Sequence, residues 1–279
     1  MRFCVVGGLN LDVIGTSGTV LTGDSNMGEI HFSAGGVGYN IARMLRQSGH
    51  EVGFLTVMSR DLFGEYLWRE CEKEGIDTSF SVITEVKTGT YMAVHTRSGE
   101  LLFAVNDMPL LKLLTRREIL ARSSCFSAYD AVVTEANLEA DTLLALAETT
   151  RVPLIADAVS AGKCKRLDAV IPYLSALKVN LLEARALTGE NSPKDAGQAL
   201  LRRGAGCVLV SLGSEGVYAC GKSEDACLKP EKHYTCQTNG AGDAMCAGLA
   251  EAVAQGLGAV KSASRGMAYA ERLLRRRQL

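Results

Sequence analysis

No uncharged apolar run in these 279 residues is long enough to cross a bilayer; the nearest, around residues 244–260, is broken by Glu251. Asn10 and Asp12 likewise interrupt the amino-terminal Met1-Arg2-Phe3-Cys4-Val5-Val6-Gly7-Gly8 before an apolar segment reaches signal-peptide length, so it reads as a first strand of a soluble protein. Clustered metal ligands are also missing. The nine cysteines (Cys4, Cys71, Cys125, Cys164, Cys207, Cys220, Cys227, Cys236 and Cys246) contain no C-x-x-C pair, and His31, His50, His95 and His233 lie far apart. That scatter argues against a structural zinc site and suits reduced thiols in the cytoplasm. Nor is there an excess of one charge: 30 basic residues face 31 acidic ones. No global field points to nucleic acid, membrane or a strongly acidic partner, so the expected partner is a small molecule. Without an internal repeat, low-complexity tract or Pro-rich linker, residues 1–279 are expected to form one domain.

What is present is an alternation. Short runs rich in Val, Ile and Phe recur between longer segments of helical period, the pattern of βαβ units around a mostly parallel sheet. It predicts strands at 2–7, 52–57, 130–135, 153–157, 176–179 and 207–211. Amphipathic helices are predicted at 37–48, 61–74, 115–124, 139–149, 182–188, 194–203 and 243–256. Residues 12–34 and 78–107 carry no helical period. The second of these holds Gly89-Thr90-Tyr91-Met92-Ala93-Val94-His95, a Ser98-Gly99-Glu100 turn and Leu101-Leu102-Phe103-Ala104-Val105, a strand–turn–strand form. Both stretches are expected to supply strands of a small lid beside the main sheet.

Four motifs carry chemistry. Thr238-Asn239-Gly240-Ala241-Gly242-Asp243 precedes a good helix former, and glycines there leave the first N–H groups bare for an anion. Asp243 in the first turn can accept a proton from a hydroxyl as its oxygen attacks phosphorus, or can be a plain N-cap. Ser33-Ala34-Gly35-Gly36-Val37-Gly38-Tyr39-Asn40 also opens into a helix; Gly35 and Gly36 let a ligand approach the backbone, and the Asn40 amide can bind sugar hydroxyls. Asn10-Leu11-Asp12 follows the first strand at the sheet edge where ligands bind in open α/β folds. In Lys178-Val179-Asn180-Leu181-Leu182-Glu183, Asn180 and Glu183 share a helix face, where they can organise a hydrated Mg²⁺ or form a capping box. G-x-G-x-x-G does not occur, which disfavours a dinucleotide-binding oxidoreductase.

Taken in order, these motifs resemble the PfkB, or ribokinase-like, family of carbohydrate kinases. The family's G-G-x-G-x-N stands at Gly35 to Asn40, its N-x-x-E at Asn180 to Glu183 and its G-A-G-D at Gly240 to Asp243, while Ser211-Leu212-Gly213-Ser214-Glu215-Gly216-Val217 is similar to its ATP-side strand and turn. The resemblance implies a three-layer α/β/α domain with a mostly parallel central sheet and a small β-sheet lid. It implies ATP and Mg²⁺, leaves a monovalent cation open, and makes Asp243 the catalytic base with Gly240, Ala241 and Gly242 as the anion hole. Asn180, Ser211, Gly213, Gly216, Gly240 and Gly242 would bind ATP, with Glu183 reaching Mg²⁺ through water.

Within the family, Asp24-Ser25-Asn26, Ala104-Val105-Asn106-Asp107-Met108 and Asp157-Ala158-Val159-Ser160-Ala161-Gly162-Lys163-Cys164 are most similar to the pseudouridine kinases. That likeness places ribose at Asn10, Asp12, Gly35, Gly36 and Asn40, and the base near Asn106, Asn137 and Lys163. A ribose, fructose or purine nucleoside acceptor is the first alternative; a non-catalytic sugar- or nucleoside-binding protein is the second. Two departures stand out. Cys236-Gln237-Thr238-Asn239 replaces the usual acidic residue and Thr, and only 36 residues follow Asp243 where relatives commonly build a wall of the adenine pocket. The closing arginines, Arg272 to Arg277, read as a solvated helix end favoured by the helix dipole. A homodimer through the lid is expected.

Overall fold

The computed structural model describes residues 1–18, 23–234 and 239–278. In chain order its first half forms β1 (Arg2–Val6), β2 (Asn10–Ser17), β3 (Gly28–Gly35), α1 (Val37–Gln47), β4 (Glu51–Leu55), β5 (Val57–Ser59), α2 (Leu62–Lys73), β6 (Val82–Thr84), β7 (Thr90–Thr96), β8 (Leu101–Asp107) and α3 (Arg116–Arg122). The second half forms β9 (Ala131–Glu135), α4 (Ala140–Thr149), β10 (Leu154–Asp157), β11 (Ala176–Asn180), α5 (Leu181–Thr188), α6 (Pro193–Arg202), β12 (Cys207–Ser211), β13 (Val217–Gly221), β14 (Asp225–Leu228), α7 (Ala241–Ala254) and α8 (Ala259–Gln278).

The main sheet has the order β14-β13-β12-β11-β10-β9-β1-β4. Its six strands from β12 to β4 are parallel, and β13 and β14 add an antiparallel edge. Parallel strands with helices on both faces must be apolar on both sides, and alternate residues serve two cores. Val132, Ala156, Leu177 and Val208 pack into one, with α4, α5 and α6. Val133, Ile155, Ala176 and Leu209 pack into the other, with α1 and α7. The result is a three-layer α/β/α arrangement.

A second sheet, ordered β3-β2-β7-β8, stands apart from the first. Its pairing sets Ser33, Asp12, Tyr91 and Asn106 in one row, and Phe32, Val13, Met92 and Val105 in the next, on the opposite face. Residues 82–84, inside the stretch read as lid, pair with β5 in a separate two-stranded sheet. Part of the 12–34 stretch, residues 19–22, lies outside the described residues.

The largest difference from the sequence reading is α8. The chain after α7 turns at Gly256 and returns along it as a 20-residue helix. A Cβ on Gly248 would come within 2.7 Å of the Arg265 carbonyl oxygen, so the two backbones approach closely only because the residue is Gly. Glu251 of α7, 6% exposed, accepts from Arg265 Nη1 at 2.7 Å and from the Tyr269 hydroxyl, which locks the hairpin.

Candidate active site

The stretches around Asn10, Gly35 to Asn40 and Gly240 to Asp243 come together beside the carboxyl ends of β1 and β11. In open parallel sheets those ends are where ligands bind. Gly240 caps α7 in the left-handed conformation (φ 79°) and provides no side-chain cap, so the first amides of the helix face outward for an anion. Asp243 sits in that first turn. The Asn40 Nδ2, from the start of α1, donates to Asp243 Oδ2 at 2.8 Å. Burial, and after it the neighbouring Asp157 carboxylate, raise the Asp243 carboxyl to about 6, against the pull of Asn40, Lys178 and Arg277. A carboxyl in that range is ionised at neutral pH yet basic enough to take a proton.

On one side of Asp243 lie the residues read as sugar-binding. Asn10 Nδ2 donates to Asp12 Oδ1 at 2.5 Å, and burial raises the Asp12 carboxyl above its usual range. The glycine pair fits around them. A Cβ on Gly35 would lie 2.2 Å from Asp12 Oδ2, and one on Gly36 (φ 103°) would lie 2.5 Å from the Gly8 carbonyl oxygen and 2.9 Å from Asn10 Oδ1. Asn137 and Lys163 are joined, Lys163 Nζ donating to Asn137 Oδ1 at 2.5 Å. Asn106 lies further out, exposed on β8, in the row of Asp12.

Glu135, unremarked in the sequence, ties these parts together. It is fully buried and accepts from the Gly8 N–H at 2.8 Å and the Asn137 N–H at 2.5 Å. Burial carries its carboxyl up to about 7 despite those two amides. Tyr91 stands between Asp12 and Asn106 in the same row of the lid sheet.

On the other side of Asp243 opens a cleft of about 760 Å³. Asn180, Ser211, Gly213, Gly216, Ala241 and Gly242 line it, which gathers residues drawn from β11, β12 and α7. Its far wall is α8, through Ser264, Met267, Ala268 and Leu274. The short tail therefore does build a wall of this cleft. Its arginines are not simply solvated either: Arg272 reaches Ser48, Arg276 reaches Gln47, and Arg277 Nη1 donates to the Asn239 carbonyl. Residues 236–238, where the acidic residue of relatives is replaced, lie outside the described residues.

The two readings of Asn180 and Glu183 meet here. The capping box is formed: Asn180 Oδ1 accepts from the Glu183 N–H at 2.8 Å, and Glu183 Oε2 accepts from the Asn180 N–H at 2.8 Å. Glu183 Oε1 accepts from Asn180 Nδ2 at 2.6 Å. Only 1% exposed, Glu183 has no open face for a direct metal bond, and its place is behind Asn180, which does line the cleft. Among the described residues no three His, Cys, Asp or Glu side chains cluster to hold a metal. These residues fit a hydrated ion that arrives on phosphates and keeps its waters, not one caged by protein.

An open helix start with an acid in its first turn, set between a glycine-rich loop and a cleft of that volume, is the arrangement expected of a phosphotransferase site. Residues 2–278 match the pfkB family of carbohydrate kinases, and the chain belongs to that family. It is thus a ribokinase-like kinase that phosphorylates a sugar or nucleoside hydroxyl. The chain is 30% identical over 262 residues to the pseudouridine kinase of Escherichia coli (strain K12), covering 91% of this chain and 84% of that one. It is 32% identical over 267 residues to the uncharacterized sugar kinase YeiI of the same strain, at 91% and 73% coverage. Among solved structures, a carbohydrate kinase from Agrobacterium tumefaciens shares a TM-score of 0.86 at 33% identity, over 96% of this chain and 89% of that one. A ribokinase from Thermotoga maritima also gives 0.86, at 24% identity over 96% and 91%, a likeness of fold.

Proposed function

We propose that this kinase transfers the γ-phosphoryl group of Mg·ATP to the 5′-hydroxyl of pseudouridine, with Asp243 as the base. The observation that carries the reading is the place of Asp243: bonded to Asn40 of the acceptor loop, and one residue from the Gly242 that lines the cleft. The hydroxyl oxygen bonds to phosphorus, its proton passes to Asp243, and the bond to the bridging oxygen breaks with its electron pair leaving on ADP. The amides of Gly240, Ala241 and Gly242 stabilise the phosphoryl oxygens; in such transfers positioning and electrostatics supply most of the catalysis. Mg²⁺, bound to the phosphates beside Asn180, would neutralise charge there.

Asn10, Asp12, Gly35, Gly36 and Asn40 hold the ribose in this reading. A uracil joined through carbon keeps two carbonyl acceptors and two imide-type donors, which the linked Asn137 amide and Lys163 ammonium are suited to read, with Asn106 from the lid. Ribose or fructose would leave those groups unpaired, and a site built to bond a base loses strongly when the base is missing. The rival reading as a binding protein that has lost its nucleotide site finds less support now that α8 walls the cleft.

Two further readings accompany this one. All eight described cysteines are free, which supports a cytoplasmic setting, and no described helix is long and apolar enough to cross a membrane. The lid face carrying Phe32 (56% exposed), Ile30 (65%), Phe103 (53%) and Val105 (51%) suits a second copy of this chain. Sedimentation of Phe32→Glu against the unmodified protein tests the dimer. The acceptor is tested by ADP release with pseudouridine, uridine, ribose and fructose supplied separately. Turnover selective for pseudouridine is expected; preference for another acceptor retires that substrate and keeps the kinase.

A further inference from the structure

The parallel register sets Glu135, Asp157 and Lys178 side by side on β9, β10 and β11. All three lie on the sheet face that meets α7, where the preceding positions on that side are Val133, Ile155 and Ala176, packed in the core. Such a row needs an account, because a buried ion pair seldom stabilises a fold more than apolar packing would. Glu135 has one, since it fastens the acceptor loops. Asp157 and Lys178, 1% and 6% exposed, do not.

The pair is held with some force. Lys178 Nζ lies 3.1 Å from Asp157 Oδ2, and that oxygen has no hydrogen-bond partner among the described residues. Asp157 Oδ1 accepts from the Val159 N–H at 2.7 Å. To donate it, Val159 adopts φ 64°, the one non-glycine positive φ among the described residues and a strained conformation for a β-branched side chain. Above the pair, a Cβ on Gly242 would lie 2.8 Å from Lys178 Nζ, so the glycine leaves room for an ammonium directly beneath the anion-binding turn. Lys178 lines the cleft beside Asn180 and Gly242.

We propose that Asp157 and Lys178 are positioning residues of the transfer step: Lys178 carries a fixed positive charge under the Gly242 backbone, facing both Asp243 and the phosphoryl site, and Asp157 holds it there. The proposal rests on the reading of Asp243 as base. The groups that face Asp243 are Asn40 from α1, Arg277 from α8, Asp157 from β10 and Lys178 from β11, with Cys246 on its own helix. Lys178 also faces Glu183. During transfer the proton moves from the hydroxyl to Asp243 while negative charge shifts towards ADP; Lys178 keeps its protons, favours the ionised Asp243 before transfer and offsets the charge that develops towards ADP. The Asp157 carboxylate acts on Asp243 in the other sense and keeps it basic, so the pair together sets a base that works near neutral pH.

The test uses ¹³C-NMR titration of the Asp243 carboxylate, which needs no acceptor, in the full-length protein and in Asp157→Asn, Lys178→Met and the double variant. Removing the like charge in Asp157→Asn should lower the Asp243 midpoint, and removing the cation in Lys178→Met should raise it, each by at least about half a pH unit. The double variant replaces an ion pair by a neutral pair, and should fold even where Lys178→Met does not. It should recover Tm while kcat stays at least about 100-fold below that of the unmodified enzyme. Coincident titrations in all four proteins, or a double variant with kcat within a few-fold of normal, would reduce the pair to a structural element. A protein silent on every acceptor with the opposed shifts intact would sink the proposed function and leave the coupling standing.

Discussion

Asn40 and Asp243, 203 residues apart in the chain, are joined by a hydrogen bond of 2.8 Å, Asn40 Nδ2 donating to Asp243 Oδ2. The bond ties the start of α1, which follows the loop proposed to hold the acceptor, to the start of α7, which follows the loop proposed to hold phosphate. It also favours the ionised form of Asp243, the form that can accept a proton.

The pH dependence follows from that. With its carboxyl raised to about 6, Asp243 is ionised above that value and protonated below it. Turnover should therefore fall as pH drops through about 6. Asn40→Ala removes a donor to the carboxylate, so its acid limb should move to higher pH. kcat–pH profiles of both proteins check this; an unmoved limb would detach Asn40 from the ionisation of Asp243.

The same shift bears on stability. A carboxyl whose folded value is raised, from an ordinary 3.8 to about 6, is ionised at a cost in the fold. The cost is absent below the unfolded value and complete above the folded one, at about 3 kcal/mol or less. Asp243→Asn should thus raise the Tm of the ligand-free protein at pH 8 and change it little near pH 4. Equal effects at the two pH values, in thermal denaturation, would contradict the assignment.

Gly36 offers a backbone test. At φ 103° a side chain is strained, and its Cβ would lie 2.5 Å from the Gly8 carbonyl oxygen. Gly36→Ala should cost about 1–3 kcal/mol of stability and raise KM for the acceptor more than KM for ATP, measured by urea unfolding and initial rates. A larger effect on ATP would move Gly36 to the wrong side of the site.

The strands of the main sheet were legible because they are buried on both faces: the Val- and Ile-rich runs around residues 131–135, 154–157, 176–180 and 207–211 lie within a residue or so of their predicted bounds. α8 was not legible as a packed element. Of its buried residues, Ala259, Ser262, Ala263, Gly266 and Ala270 are small, with value in close backbone approach rather than in hydrophobicity, and Tyr269 alone is large. The edge pair β13 and β14 begins at Val217, where the stretch read as strand and turn ends, and was given no strands of its own. In the site, motifs gave the loops that meet at Asp243, but Glu135, Asp157 and Lys178 depend on strand register, which no local pattern carries. A charged residue at or near the end of three successive apolar runs was the trace they left.

Asp243 is the proposed base, and the most direct measurement is kcat of Asp243→Asn with saturating Mg·ATP and the best acceptor. The amide keeps the shape and an acceptor oxygen for Asn40 while losing the capacity to take a proton, so kcat should fall by about 10²–10⁴ with nucleotide binding little changed. Turnover within a few-fold of the unmodified enzyme would contradict the assignment.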